Sequence, residues 1–218
     1  MKQITARSTL FGYGIVLCML SAAEVSAQYV EPDYHPQPVY LVPKVPFDSL
    51  QTKAMLGKGN ATIKGTTYAG LFLGIKHYGN KVKVALYPLT PYFKEYLSLE
   101  KKVNPAKSVQ IGVPGYVFSY RLEAVTNSDG DFTFPNMKPG KYYLVTAIEF
   151  YEDITTDSLV GKHYSNREKS KKEEYVTTTN NYHFYKALSK IVEIKKDGEL
   201  VKTKLSGTVE VKDTIPDN

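Results

Sequence analysis

Histidine and acidic side chains are the residues of this sequence that could ligate a metal or move a proton. Zinc hydrolases place histidines beside a carboxylate at helical spacing, as in HxxE or HExxH. The four histidines stand instead in DYHPQ, IKHYG, GKHYS and NYHFY, none of which has a carboxylate at that spacing. His77 and His163 could still meet at a metal, but loop histidines are more often unligated. We therefore predict no catalytic residue and no metal ligand.

Acidic residues offer a second possible chemistry, the binding of calcium. Asp129, Asp131 and Asp153 could supply oxygen ligands, which calcium requires in a cluster. Asp131, however, is predicted to start a strand, and the loop before it lacks further ligands. The sequence also contains no GxSxG elbow and no glycine-rich phosphate loop. We predict no calcium site, no bound cofactor and no enzymatic activity.

The amino-terminal residues indicate export. Lys2 and Arg7 precede an apolar run that ends near Met19, and small residues follow up to Ala27. This layout is typical of a secretory signal peptide, so residues 1–27 are predicted to be removed and the mature chain to act in the periplasm or at the cell surface. The run is shorter than the roughly 18 apolar residues of a membrane span. We predict no membrane span after signal removal.

Composition constrains the mature chain further. The only cysteine, Cys18, lies in the predicted signal, so the mature chain has no disulfide and no thiolate site. The net charge is +6, and removal of Lys2, Arg7 and Glu24 leaves +5. Much of the excess lies in GKHYSNREKSKKEEY, which is typical of a solvated loop. Nucleic acid is not expected as a partner, because no nucleic-acid-binding motif is present.

The mature chain is predicted to contain one folded domain. Residues 28–50 are rich in proline and tyrosine, which favours an extended linker because proline fixes φ and donates no backbone hydrogen bond. Residues 51–212 alternate apolar and polar positions in segments separated by Gly, Pro, Asn and Asp, which is typical of an all-β sandwich. Residues 213–218 are predicted to be a short tail.

The spacing of apolar residues distinguishes the predicted strands of this domain from its predicted helix. Period-two segments predict strands near 60–70, 81–88 and 116–126, two more strands within 126–149, and a carboxyl-terminal Asp-Gly hairpin at Lys196–Gly198. The segment TPYFKEYLSLEKKV has helical period instead, with Thr90 as N-cap and Pro91 at the first helical position. We expect one short helix there, and long loop insertions at about 90–118 and 151–183.

Residues 126–145 read TNSDGDFTFPNMKPGKYYLV, and this segment resembles the signature of carboxypeptidase-regulatory-like domains, a branch of the transthyretin-like (prealbumin-like) β-sandwiches. Three further segments occur in the family's order, over about 60–207: the strands ATIKGTTYAG and KVKVALYPLTPY, and the carboxyl-terminal segment SKIVEIKKDGELVKTKLSG. The resemblance implies a transthyretin-like β-sandwich that accompanies catalytic units without being one. A related purine-pathway hydrolase ends in a YRGS-type tail, whereas this chain ends in VEVKDTIPDN.

The residues of this motif have structural explanations. A tight turn at Asp129–Gly130 needs φ > 0 at the glycine, and the Asp side chain can bond nearby amides. Phe132 and Phe134 then share one face and contribute about 2 kcal/mol each on burial. Residues Pro139 and Gly140 form a second turn, and Tyr142 lies on the returning strand. We therefore interpret all seven residues as fold determinants: Asp129, Gly130, Phe132, Phe134, Pro139, Gly140 and Tyr142.

The sequence predicts a non-enzymatic module that binds a protein or a glycan. The tyrosine-rich segments TPYFKEY and EFYED offer Tyr92, Tyr96 and Tyr151 as contacts, because tyrosine is enriched in interfaces. Two alternatives stay open, an accessory domain of a separate hydrolase or envelope assembly, and a small hydrolase with an unrecognised site. A Lys–Asn isopeptide bond, from Lys64 or Lys83 to Asn180 or Asn181, and glycosylation at Asn60 are left open as well.

Overall fold

The computed structural model describes residues 37–210, except residues 73, 166, 168 and 169. The predicted signal peptide, the first part of the predicted linker and the tail lie outside the described residues. The strands are β1 (Val39–Leu41), β2 (Ala61–Leu71), β3 (Lys76–Tyr78), β4 (Lys83–Pro88), β5 (Val109–Ile111), β6 (Leu122–Val125), β7 (Asp131–Met137), β8 (Gly140–Ser165), β9 (Ser170–Ile194) and β10 (Leu200–Val209), and the helices are α1 (Ser49–Met55) and α2 (Pro91–Glu100).

Two four-stranded sheets dominate the described part of the chain. In the first sheet, β2 pairs in parallel with β10 along one edge and antiparallel with β7 and β3 along the other. The second sheet has the order β6–β4–β8–β9 and is antiparallel throughout. The inner faces of the two sheets enclose the core. The protein is an all-β sandwich, which confirms the predicted fold class.

The core follows from the period-two sequence pattern of the strands. Alternate side chains of each strand face inward and are buried, and each large one contributes about 1.5–3 kcal/mol. The core residues are Ala61, Ile63, Ala69, Val84, Leu86, Phe132, Phe134, Met137, Tyr142, Leu144, Ile148, Phe150, Phe184, Leu188, Val192, Ile194 and Leu205. Gly65 belongs to the same face, and Phe132 lies opposite it; a Cβ at Gly65 would come within 2.3 Å of the Phe132 ring.

The segment 126–145 forms the turn, strands and core contacts predicted for it. Gly130 has φ +74°, and Phe132 and Phe134 are each 3% exposed. The Tyr142 hydroxyl donates to the carbonyls of Lys138 (2.8 Å) and Met55 (3.1 Å). Burial raises the pKa of Tyr142, so the phenol stays neutral and keeps donating.

One detail of this turn differs from the prediction. The amides of Asp129 and Asp131 donate to the side chain of Asn127, at 3.0 and 2.8 Å, so Asn127 organises the turn in the role that was predicted for Asp129. The buried Thr126 hydroxyl accepts from the Val82 amide at 2.9 Å and donates to the Gly79 carbonyl. Asn127 and Thr126 thus tie the turn to its neighbours.

The segment 151–183 is not a loop. It continues β8 and β9 as an antiparallel two-stranded hairpin beyond the sandwich, and we call Tyr151–Ser165 together with Ser170–His183 the arm. Residues 155–165 alone span about 36 Å at the strand rise of about 3.3 Å per residue. The loop prediction was wrong because neither face of the outer arm is buried, so the apolar alternation that marks a strand is weak there.

The predicted Asp-Gly hairpin is also corrected. β9 and β10 belong to different sheets, so the turn at Asp197–Gly198 carries the chain across the sandwich instead of joining paired neighbours. The Asp197 carboxylate accepts from the backbone and the side-chain amide of Asn60, at 3.0 and 2.6 Å. These bonds lower the pKa of Asp197 and hold the turn against the start of β2.

Helix α2 has the predicted start, with the Thr90 hydroxyl accepting from the Phe93 amide at 3.3 Å and Pro91 at the first position. A second helix, α1, was not predicted; Asp48 is its N-cap. The strand predicted for 116–126 is shorter than expected, because Gly115–Ser119 forms a 3₁₀ turn and pairing begins at Leu122. No described helix has the length and apolarity needed to cross a membrane.

Part of the predicted linker is packed on the domain. Val39–Leu41 pairs in parallel with Val109–Ile111, and the Phe47 ring contacts the Tyr92 ring edge-on at 5.3 Å. Glu95 of α2 accepts from the backbone amides of Lys44 (3.0 Å) and Val45 (2.9 Å). The residues from Val39 onward therefore behave as part of the described domain.

Acidification is expected to release this segment. The two backbone bonds lower the pKa of Glu95 below its ordinary value near 4.5, so their contribution is present above pH 4.5 and is lost as the pH falls through the lowered pKa. Hydrogen-exchange protection of residues 39–47, corrected for the intrinsic rate, should drop below about pH 4. Glu95→Gln should flatten this pH dependence, whereas Glu199→Gln, which removes a carboxylate that accepts from the backbone amides of Lys195 and Lys196 instead, should leave it unchanged.

Candidate functional site

The described histidines lie apart and each faces one glutamate. His77 Nε2 lies 2.7 Å from Glu152, and His163 Nε2 lies 3.7 Å from Glu174 near the arm tip. His183 Nε2 lies 3.6 Å from a carboxylate oxygen of Glu149. The structure does not bring His77 and His163 together. Among the described residues, no group of three or more His, Cys, Asp or Glu side chains could hold a metal.

Of the three aspartates considered for calcium, Asp129 lies in the turn before β7 and Asp131 begins β7, and Asp153 lies apart from them on the arm. Asp131 accepts from the Thr66 hydroxyl at 2.6 Å on the first sheet. Asp153 accepts from the Asn181 side-chain amide at 2.8 Å on the arm. These carboxylates serve cross-strand hydrogen bonds.

Tyr92 and Tyr96 are packed under helix α2. Tyr92 is 6% exposed, and the Tyr96 ring contacts Phe93 and Phe118 at 5.4 Å each. Desolvation is the largest cause that raises the pKa of Tyr96 to about 12, and nearby Glu100 adds to it. This cluster covers the outer face of the second sheet, because Phe93 also stacks on Tyr87 at 4.9 Å. Tyr92 is buried and Tyr96 is partly buried, so both have packing roles here, and their role as partner contacts stays a prediction.

Tyr151, by contrast, is exposed at the root of the arm, and other large side chains are exposed nearer the arm tip. Tyr151, Tyr164 and Tyr175 are 62%, 64% and 55% exposed, and Leu159, opposite Tyr175, is also exposed. Strand alternation places Tyr151, Leu159 and Tyr175 on one face. We call this face, with Tyr164 and with His183 beside Tyr151, the aromatic stripe.

A β-bulge brings Tyr164 onto the same face. The register of β8 and β9 shifts between Leu159 and Gly161, so one extra residue, Val160, is inserted into β8. Without that residue, alternation from Tyr151 would direct Tyr164 to the opposite face. The bulge therefore extends the aromatic stripe to the arm tip.

A ladder of polar cross-strand pairs sets the register of the arm, and it lies on the face of the aromatic stripe between Tyr151 and Leu159. The Asn181 amide donates to Asp153 at 2.8 Å, the hydroxyls of Thr155 and Thr179 lie 2.9 Å apart, and the Thr177 hydroxyl donates to Asp157 at 2.6 Å. Each such pair contributes about 0.2–1 kcal/mol. The arm thus has a defined pairing without a buried face of its own, and its aromatic side chains are available to a partner.

The root of the arm is fixed to the sandwich by stacked rings. Phe150, 5% exposed, lies between His77 of the first sheet (4.4 Å) and Phe184 of the second (5.2 Å), with interplanar angles of 14° and 20°. His77 also bonds Glu152, the neighbour of the first arm residue. His77 therefore links the two sheets at the point where the arm leaves them, and this is its structural role.

Sequence reasoning missed the stripe residues other than Tyr151. The available signal was the density of β-branched and aromatic residues in YVTTTNNYHFY, which is a strand composition. The adjacent lysines and glutamates favoured a loop. Tyr164 and Leu159 had no signal of their own, because the bulge that aligns them depends on the pairing of β8 with β9.

The chain matches no family model and no curated protein. Among solved structures, a candidate carbohydrate-binding protein of Pseudomonas aeruginosa is 23% identical with a TM-score of 0.47, and the match covers 74% of this chain and 97% of that one. BcpA, the major pilin subunit of Bacillus cereus, is 10% identical with a TM-score of 0.29, over 69% of this chain and 30% of that one. The resemblance to carboxypeptidase-regulatory-like domains stays a prediction, and the sandwich fold is established by the strand pairing itself.

Proposed function

We propose that this chain is an exported, non-enzymatic β-sandwich module that holds a protein partner through the aromatic stripe of its arm. The observation that carries the proposal is the exposure of large side chains on one face of a hairpin that extends beyond the sandwich: Tyr151 at its root, and Leu159, Tyr175 and Tyr164 toward its tip, with polar pairs between the two groups. Tyrosine is a frequent anchor in interfaces because it buries a large ring and keeps a polar hydroxyl. A partner that covers the stripe would bury these rings.

The stability of the arm supports the same proposal. Isolated two-stranded hairpins are marginally stable in water. Beyond Ile154 and Tyr182 the side chains of the arm are nearly all exposed, so the sandwich stabilises only its root. A bound partner would supply the missing packing, because apolar area removed from water contributes about 25 cal/mol per Å².

The backbone of the arm supports a protein in particular. Among the described strands, β9 is an edge strand of its sheet, and β8 has no neighbour on its other side beyond Val145, where its pairing with β4 ends. An extended segment of a partner could add to either edge by main-chain hydrogen bonds. A protein partner can combine this mode with contacts to the stripe, whereas a glycan has no peptide main chain with which to extend the sheet.

Export and the absence of catalysis complete the proposal. The leader-like residues 1–27 support export, and cell fractionation of a carboxyl-terminally tagged chain tests it. The pairing of each described histidine with one glutamate in separate places supports a non-enzymatic role. An accessory role beside a separate hydrolase is a special case of the same proposal, in which the partner is that hydrolase.

Site-specific photocrosslinking tests the arm directly. A photoreactive amino acid at Tyr175 or Tyr164 of the full chain is expected to give a discrete adduct in intact cells, with another protein or with a second copy. The same residue at Tyr40, which is 57% exposed but distant from the arm in sequence and pairing, is the control. Equal adduct yields at Tyr40 and at the arm positions would contradict the proposal.

A deletion separates loss of the arm from loss of the fold. Ile154 and Asn180 are direct cross-strand partners, so residues 155–179 can be replaced by an Asn-Gly turn. The shortened chain keeps the whole core cluster and should fold, as shown by an unchanged thermal transition. We expect it to lose complex formation with the crosslinked partner. Recovery of the same complex from the shortened chain would exclude the arm as the contact.

A further inference from the structure

The outer face of the first sheet carries a cluster of lysines. β10 pairs with β2 in parallel, and the register sets Lys202 directly beside Lys64 and Lys204 beside Thr66. All three lysines are exposed. Lys190 of β9 reaches the same place around the sheet edge, where its ammonium group donates to the Lys204 carbonyl at 3.4 Å. We call these four residues, Lys64, Lys190, Lys202 and Lys204, the basic face.

The lysines of the basic face make no ion pair in the described structure, and Asp131 is the one carboxylate that lines the depression beside them. Ion pairs of other lysines join Lys83 to Glu123 and Lys141 to Glu193, but none of the described ion pairs includes a lysine of the basic face. Like charges directly opposite one another on a sheet are destabilising. Lys64 beside Lys202 is such a pair, and an anion held between them would relieve the repulsion.

The surface around the lysines has the shape and chemistry to hold a sugar chain. A shallow depression of about 520 Å³ crosses the strands and is lined by Lys64, Lys202, Lys204, Thr66, Thr133 and Asp131. It is open, which suits a polymer that passes across it better than an enclosed small molecule. The threonine hydroxyls can donate to and accept from sugar hydroxyls, and the ammonium groups can pair with carboxylates of the chain.

We propose that the basic face binds an anionic polysaccharide that carries carboxylates on its sugar units. Asp131 favours a hydroxyl-rich chain over duplex DNA: its carboxylate already accepts from the Thr66 hydroxyl, and it can accept from the hydroxyls that sugar units supply abundantly. Nucleic-acid surfaces of this kind also use exposed aromatic rings for stacking. The aromatic ring that lines the depression, Phe132, is instead 3% exposed and packs in the core.

Binding of polygalacturonate, a polymer of one uronic acid, is the test. The full mature chain is expected to be retarded in gels that contain polygalacturonate and not in gels that contain neutral dextran. Affinity should fall as salt rises, because ion pairing at an exposed surface is screened. The variant Lys64→Gln/Lys202→Gln/Lys204→Gln should bind roughly 10- to 100-fold more weakly, because it loses three of the ion pairs that the polymer can form with the basic face.

A matched variant removes the same charge elsewhere. Lys162→Gln/Lys171→Gln/Lys172→Gln lowers the net charge equally, at exposed positions of the arm. We expect it to keep most of the affinity. Equal losses in the two triple variants would show bulk charge attraction only and would overturn the site, as would unchanged binding in the basic-face variant. Both variants are exposed substitutions, and circular dichroism checks that they fold.

Two further probes distinguish the ligand class. Duplex DNA and vesicles with phosphatidylglycerol are compared with polygalacturonate at equal charge concentration, and stronger binding of either one would overturn the assignment to a polysaccharide. The arm deletion of residues 155–179 should bind polygalacturonate as the full chain does. Failure of the arm to hold a protein and failure of the basic face to hold a polyuronate are therefore separate outcomes.

Discussion

Phe150→Ala is expected to lower the free energy of unfolding by about 3–5 kcal/mol, the range for removing a buried aromatic side chain. Phe150 is the middle ring of the stack His77–Phe150–Phe184, and its removal leaves a cavity between the two sheets. The ring also fixes the place where the arm leaves the core. Urea denaturation measures the loss, and hydrogen exchange should show the arm opening before the rest of the protein.

Tyr151→Ala is the control for this prediction. Tyr151 is the next residue on β8, but its side chain points outward, is 62% exposed and stacks only on His183. We expect a loss of about 1 kcal/mol or less. Equal destabilisation by the two substitutions would mean that the ring stack does not anchor the arm.

Gly130→Ala is expected to destabilise by about 3 kcal/mol, from backbone strain and a steric clash together. Gly130 has φ +74°, where a Cβ is disfavoured, and the added Cβ would lie 2.4 Å from the Thr67 carbonyl oxygen. The Thr67 amide also donates to the Gly130 carbonyl at 2.8 Å. Any shift that relieves the clash therefore strains the bond that ties the turn to β2.

Gly198→Ala separates the two causes. Gly198 has nearly the same φ, +73°, but a Cβ there would meet nothing within 4 Å. Gly198→Ala should therefore lower the free energy of unfolding only by the cost of the backbone conformation, about 1 kcal/mol. The difference between the two variants, measured by thermal or urea unfolding, then gives the steric part. Similar losses would show that the close approach to Thr67 has no energetic role.

Local signals in the sequence predicted the elements whose causes are local. The Thr90 cap with Pro91 predicted the start of α2, and the positions of Gly130, Phe132 and Phe134 predicted a turn and two inward rings. In each case the residues that determine the structure lie within a few positions of it. Helix-capping preferences and the alternation of apolar residues are then sufficient to predict the element.

The arm and the basic face depend on pairings that no local signal contains. Thr155 meets Thr179, and Lys64 meets Lys202, only because particular strands are neighbours in a sheet. The arm also lacks a buried face, so it has no strong apolar alternation, and its lysines and glutamates read as a loop. The sequence correctly indicated a turn at Asp197–Gly198. The flanking strands β9 and β10 nevertheless pair with β8 and β2, because core burial in two separate sheets outweighs a local hairpin preference.

The pairing of β10 with β2 has a consequence for the order of folding. Ile63, near the start of the described domain, needs Val201 beside it, so the first sheet is incomplete until Leu200–Val209 has been synthesised. The chain between β2 and β10 loses conformational entropy when its ends come together, before the strand pairing contributes stability. Proteins rich in such distant contacts fold in about milliseconds to seconds. Until then, the edge of β2 that β10 later covers is open to other strands. Chains truncated before Leu200 should therefore be prone to aggregation, and a chaperone that shields β2 would act in that interval.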